Sequence, residues 1–228
     1  MGRLIELARL DERGRAELAG AIAAATLVCF PTDTVYGVGG AATPATAAAL
    51  ARAKGRPADK PFQLIYPTVA ALLAEVALSP SVATAARRLL PGPFTLVVPY
   101  PATMSFPPAG AVEWPAAAGA ETVATLGVRV PAWPLGAAAL AGLPFALVAS
   151  SANPSGGADP ATLDQVDPAL LAACELVLDG GPTTGVSSTV IDLSGLEAGR
   201  GYRILRAGTT DAAAIAAIFA SKEGPAAP

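Results

Sequence analysis

Three cations, Lys54, Arg56 and Lys60, fall within the single run KGRPADKP (54–61) of a chain in which charged residues make up only 14%. Fixed cations at that density suit a polyphosphate, because an Arg guanidinium forks onto phosphate oxygens and a Lys ammonium supplies a point charge. Pro57 and Pro61 stiffen the backbone that carries them. The second group lies far downstream in VASSANPSGG (148–157), where Ser150, Ser151, Asn153 and Ser155 follow an apolar run. That is the end of a buried strand, the sheet edge at which α/β proteins place ligands. A cationic loop paired with a hydroxyl and amide turn is what a nucleoside triphosphate and a small polar substrate require together. Each half alone also reads as ordinary structure: a solvated charged loop, and good turn chemistry.

PTDTVYGVGG (31–40) makes a third group, read as a loop between a strand and a helix. Its glycines, Gly37, Gly39 and Gly40, let backbone approach a ligand, and the hydroxyls of Thr32 and Thr34 can bond a polar substrate. The alternative is a tight strand-to-helix connection with threonine caps. It is neither a Walker A loop nor a dinucleotide fingerprint, since GK[ST] is missing and the glycine spacing differs. Arg129 is a charge inside an apolar strand, GVRVP (127–131), and such an arginine needs a carboxylate from the protein or from a substrate. Ser187, Ser188 and Thr189 open one further strand and Arg206 ends another.

The sequence contains no histidine. That excludes a Ser-His-Asp hydrolase and a His general base, so the hydroxyls are read as binders rather than nucleophiles. The two cysteines, Cys29 and Cys174, are far apart and are read as buried, inert thiols instead of a zinc site. A net charge of −3 argues against sequence-independent nucleic-acid binding as the main role. No apolar run reaches the roughly 18 residues that span a membrane, and the charged N-terminal residues do not form a signal-peptide pattern. The expected location is the cytoplasm.

At 228 residues the chain fits one α/β domain, placed at 1–221 with a tail at 222–228. Helices are predicted at 13–25, 44–53 (capped by Thr43), 68–76, 80–90, 135–141, 162–173 and 211–220. Strands are predicted at 26–30, 62–66, 94–100, 127–130, 144–149, 176–179, 188–193 and 202–206. Residues 101–121, rich in Pro, Ala and Gly, are read as a surface excursion or lid. Alternation of the two element types predicts a single twisted mixed sheet flanked by helices.

Taken together, PTDTVYGVGG, KGRPADKP, PGPFTLVV (91–98), GVRVP, SSANPSGG (150–157), SSTVIDL (187–193) and ILRAG (204–208) resemble the YrdC family, the threonylcarbamoyl-AMP synthases of tRNA modification. They run in family order over about residues 28–208. The resemblance implies a YrdC-like α/β fold with a concave, positively lined cleft. It also implies a reaction joining L-threonine, bicarbonate or CO2 and ATP, with Mg²⁺ on the phosphates. The products are threonylcarbamoyl-adenylate and pyrophosphate. A downstream threonylcarbamoyl-transferase then modifies adenosine 37 of tRNAs that read ANN codons, and a weak tRNA contact is in keeping with this. The family's KxR and SxN signature falls on Lys54, Arg56, Ser151 and Asn153, the candidate catalytic set. By the same matching, Thr34, Arg129, Ser151 and Ser188 hold threonine, and Arg56, Lys60, Thr125, Asn153 and Arg206 hold ATP. The sequence departs from the family at two places. FQLIY (62–66) lacks the histidine some members carry near the threonine site, and Asp159-Pro160-Ala161-Thr162 replaces a frequent serine. The chain resembles the short form, without the C-terminal domain of longer relatives. Competing readings are a YciO-like or carbamoyl-adenylate-forming paralogue with another acceptor, and an RNA-binding module.

Overall fold

The computed structural model describes residues 2–55, 62–99, 113–114, 125–154 and 156–221. Arg56, Lys60, Ser155, the 101–121 segment apart from 113–114, and the tail at 222–228 lie outside the described residues.

One mixed sheet organises the chain. Its strands are β1 (Arg3–Glu6), β2 (Val28–Pro31), β3 (Tyr36–Ala41), β4 (Gln63–Ile65), β5 (Phe94–Pro99), β6 (Glu113–Trp114), β7 (Thr125–Arg129), β8 (Leu147–Ser151), β9 (Leu176–Asp179), β10 (Thr189–Asp192) and β11 (Arg203–Arg206). They lie in the order β1-β9-β2-β3-β8-β4-β7-β5-β10-β11, with β6 paired to β7 off that path. The helices are α1 (Glu12–Ala24), α2 (Pro44–Lys54), α3 (Val69–Glu75), α4 (Pro80–Leu89), α5 (Pro168–Ala173) and α6 (Ala212–Ala220). Short polar residues start most of them by accepting from an otherwise unbonded backbone N–H. Asp11, Thr43, Thr68, Asp167 and Asp211 cap α1, α2, α3, α5 and α6 in this way.

The two faces of the sheet are built differently. Helices α2 to α6 all send buried side chains into one large core, where they meet Cys29, Tyr36, Val38, Leu64, Leu96, Leu126, Val128, Val148 and Val177. The opposite face carries a smaller core. There Leu18 and Ile22 of α1, with Leu7, Ala137 and Leu140 from 3-10 turns, cover Val28, Phe30, Ile65, Leu147, Ala149, Leu176 and Leu178. Among the described residues, no side chain of β5, β7 or β10 belongs to that second core. Side chains alternate along a strand. Placing Leu64, Leu96, Leu126 and Val128 in the large core therefore turns Gln63, Thr95, Thr125 and Arg129 to the other face. Half of the sheet thus has one apolar face and one polar face, and the site lies on the polar one.

Four expectations need correction. The 31–40 run is not a loop: β2 and β3 form an antiparallel pair across it, with Phe30 opposite Gly37. Its glycines serve strand packing and not ligand approach, since a Cβ on Gly39 would sit 1.9 Å from the carbonyl oxygen of Val148. The serines at 150 and 151 do not follow the strand but end it: β8 runs on to Ser151, and Asn153 follows at its carboxyl end. The helix expected over 162–173 is two pieces, a 3-10 turn at Leu163–Gln165 and α5, separated where Asp167 caps and Pro168 restarts the chain. β1 was not expected at all.

Candidate functional site

A cavity of about 290 Å³ opens on the polar half of the sheet. Lys54, Ser151 and Asn153 line one part of it, and Arg129, Ser188 and Arg206 another. Six of the sequence-predicted site residues therefore meet at one place, although they come from the end of α2, from β7, from the β8 turn, from the position before β10 and from β11.

Lys54 is the last residue of α2, and Gly55 beyond it takes the left-handed conformation (φ 54°) that ends the helix. Its ammonium donates to the carbonyl oxygens of Ser151, at 2.8 Å, and of Asn153. These are charge-assisted bonds across 97 residues of sequence. Within the clamped turn, the Ser151 hydroxyl donates to Asn153 Oδ1 at 2.6 Å, and Asn153 Nδ2 donates to the Gly157 carbonyl at 2.7 Å. Asp159 continues the network: one carboxylate oxygen accepts from Asn153 Nδ2 at 3.4 Å, the other from the backbone N–H of Ser187 at 3.1 Å and from the Ser187 hydroxyl. The KxR lysine and the SxN pair are thus one hydrogen-bonded assembly.

Arg129 is 2% exposed and pairs with Asp33. Its Nη2 donates to Asp33 and, at 2.7 Å, to the buried hydroxyl of Thr34. Asp33 also accepts from the backbone N–H of Ala132 at 3.0 Å, and Thr32 lies 3.2 Å from Thr34. The carboxylate that an arginine in an apolar strand requires is supplied by the protein itself. Burial makes the Arg129 guanidinium easier to deprotonate, the Asp33 carboxylate opposes this, and nearby Arg206 adds a further push in the first direction. Arg129 Nε is buried with no hydrogen-bond partner.

Arg206 donates from Nη2 to the Ser188 carbonyl at 2.9 Å and to the Ser188 hydroxyl at 3.3 Å. Its guanidinium too is made easier to deprotonate by desolvation, with Asp159 pulling the other way. The Ser188 hydroxyl lies 2.8 Å from that of Thr95, which donates to Gln63 Oε1 at 2.9 Å.

Of the remaining predicted residues, Thr34 is fully buried behind Arg129, and Thr125 is fully buried in β7; neither lines the cavity. Sequence reasoning missed Asp33, Gln63, Thr95 and Asp159 as members of the site. Strand alternation was the available signal for Gln63 and Thr95, because each polar side chain is next to a leucine that belongs to the core. Asp33 stands between the two threonines singled out in PTDT, and no short-range pattern ties it to Arg129.

The fold and cavity define an α/β protein with a polar cavity lined by fixed cations, hydroxyls and amides. The chain belongs to the Sua5/YciO/YrdC family, whose model, described as "Telomere recombination", matches residues 20–208. It is 35% identical over 189 residues to the threonylcarbamoyl-AMP synthase of Pyrococcus abyssi, covering 82% of this chain and 52% of that protein. It is 36% identical over 170 residues to the threonylcarbamoyl-AMP synthase of Bacillus subtilis, covering 72% of this chain and 46% of that protein. The chain therefore spans about half the length of these two curated relatives. The crystal structure of P. abyssi Sua5 complexed with L-threonine superposes with a TM-score of 0.74 at 31% identity, over 96% of this chain and 60% of that one. Among the described residues, no helix is long and apolar enough to cross a membrane.

Proposed function

We propose that this chain makes threonylcarbamoyl-adenylate from L-threonine, bicarbonate or CO2, and ATP, as a nucleotidyltransferase of the cytoplasm, where its tRNA pathway operates. The observation that carries the reading is the cavity in which the Lys54-clamped Ser151–Asn153 turn faces Arg129, Ser188 and Arg206. The relatives named for this activity, and the relative crystallised with L-threonine, support it.

The chemistry needs no covalent nucleophile from the protein. The threonine amine takes up CO2 to give a carbamate, and a carbamate oxygen attacks the α-phosphorus of ATP. The bond from that phosphorus to the bridging oxygen breaks, and the electron pair leaves with pyrophosphate. Two anions must be brought together, so the barrier falls through positioning and through donors fixed around the developing charge. Arg129, Ser151 and Ser188 are assigned to threonine, with Thr34 orienting Arg129. Because Arg129 is already oriented by Asp33 and Thr34, it meets a ligand with little left to reorganise. Arg56, Lys60, Asn153 and Arg206 are assigned to ATP. Among the described residues, no group of three or more His, Cys, Asp or Glu could hold a metal ion. The cavity's cations and hydroxyls fit phosphate oxygens better than a resident ion, so Mg²⁺ is assigned to the triphosphate as part of the substrate. The product passes to a threonylcarbamoyl-transferase acting on adenosine 37 of ANN-reading tRNAs.

The test is pyrophosphate release by the purified protein with ATP, Mg²⁺ and bicarbonate, with and without L-threonine. Release that requires both threonine and bicarbonate, with the mass of the adenylate, is expected. ATP binding without threonine-dependent turnover would move the assignment to a paralogue using another acceptor.

A further inference from the structure

With the Gln63 amide oriented as it is in this structure, the cavity hydroxyls form a hydrogen-bond chain with one direction. Thr95 has a single hydroxyl proton and gives it to Gln63 Oε1 at 2.9 Å. In the 2.8 Å contact with Ser188, Thr95 must therefore accept, and Ser188 must donate. Ser188 Oγ in turn accepts from the Arg206 guanidinium at 3.3 Å. The chain runs from Arg206 through Ser188 and Thr95 to the oxygen of Gln63, with a cation at its head polarising each link. The amide of Gln63 is thereby fixed: its oxygen is occupied, and its NH2 group is the end left over.

Among the described residues, nothing takes that NH2 group. The strand partners of Gln63 are Gly127 on one side and Ala149 on the other, neither of which has a polar side chain. No acceptor among the described residues bonds Nε2, and Gln63 lines the cavity.

We infer that Gln63 is a substrate-binding residue that presents its amide N–H to an anionic oxygen of the amino-acid substrate, either its carboxylate or the carbamate formed on its amine. Both acceptors share the chemistry of a resonance-shared oxygen anion, which a neutral donor can orient without neutralising. The inference rests on the reaction proposed above and adds to it a residue of this chain's own strand β4.

Two substitutions separate this role from a structural one. Gln63→Glu keeps an oxygen for Thr95 but replaces the donor with a negative charge, whereas Gln63→Leu removes both functions. If Gln63 serves only to accept from Thr95, Gln63→Leu keeps threonine binding and turnover, and Gln63→Glu is impaired only by adding a charge to a cavity for anions. If it donates to substrate, both are impaired and Gln63→Glu is the worse. Hydrogen bonds to charged groups predict a loss of about 10- to 100-fold for Gln63→Leu. Titration calorimetry with L-threonine alone, followed by turnover against bicarbonate, locates the acceptor. Weakened binding of threonine alone marks the carboxylate. Intact binding with a raised bicarbonate requirement marks the carbamate. The inference is overturned if Gln63→Leu stays within about twofold of wild type in both measurements while its melting temperature is unchanged. Should Gln63→Leu melt early, Gln63→Met takes its place, because it too lacks the amide donor. A wild-type protein that neither binds threonine nor turns over with it refutes the proposed reaction instead, and that result is read before either variant is made.

Discussion

Arg129 is paired before any ligand arrives, so its substitution acts on folding as well as on binding. Arg129→Ala leaves Asp33 with only the Ala132 N–H. Breaking a buried pair from one side costs about 3–5 kcal/mol. The expected outcome is a clear fall in melting temperature, partly recovered in the double variant with Asp33→Ala. In the fraction that folds, the threonine KM should rise far more than the ATP KM; equal rises would make Arg129 purely structural. Lys54 behaves differently, because it clamps a turn near the surface. Lys54→Ala is expected to leave the fold intact and to lower turnover by about 10²–10³, the cost of losing one preorganised charge donor. Burial pushes the Cys174 thiol up to about 12, with Glu175 adding to it, and raises Cys29 as well. Since the thiolate is the reactive form, both should resist a thiol reagent until the chain unfolds. An unfolded chain loses these thiol protons from about pH 9 while the folded one keeps them. Stability should therefore be unaffected by the cysteines below pH 9 and fall as pH rises toward 12. Thermal melts across that window, with and without Cys174→Ala, check this.

At the level of elements, the sequence was most legible where apolar periodicity and capping residues agree. Thr43 and Pro44 announce α2, and strand β9 at Leu176–Asp179 coincides with its expected bounds. β3 was illegible because its sequence, YGVGGA, looks like a loop. The glycines belong there for a reason visible only in three dimensions: β8 packs so close that no Cβ fits at Gly39. Gly39→Ala is accordingly expected to cost about 1–3 kcal/mol or more by overpacking, or about 2–12 °C in a domain of this size, read by thermal denaturation. β1 was missed because it is a four-residue edge strand whose ends, Arg3 and Glu6, are charged. Charged ends of that kind blunt an edge against pairing with another chain and also hide it from a hydrophobic pattern. The site's cations and hydroxyls were legible as types. Their convergence was not, because Lys54 meets Ser151 and Arg129 meets Asp33 only through the strand order of the whole sheet.

For the molecule as a whole, one sheet with helices over all of one face and part of the other leaves a polar cavity that ligands should close energetically. A ligand held at about 100 times its Kd stabilises the folded state by about 2.7 kcal/mol, equivalent to about 5–10 °C in melting temperature. Mg-ATP and L-threonine are each expected to raise the melting temperature, and serine to do so less if the threonine methyl is sensed. No shift with either would argue that the cavity serves another ligand.

Strand β4 is three residues long, and its alternation puts Gln63 toward the cavity, Leu64 in the large core and Ile65 under α1 and its neighbours. A slip of one position would exchange the two faces, dropping an amide into the core and offering a leucine to the ligand. A misregistered molecule would lose its packing and its binding surface at the same moment. The population that survives folding and cellular proteolysis is thus already sorted for competence, and a separate class of stable but inactive register isomers has no place to accumulate.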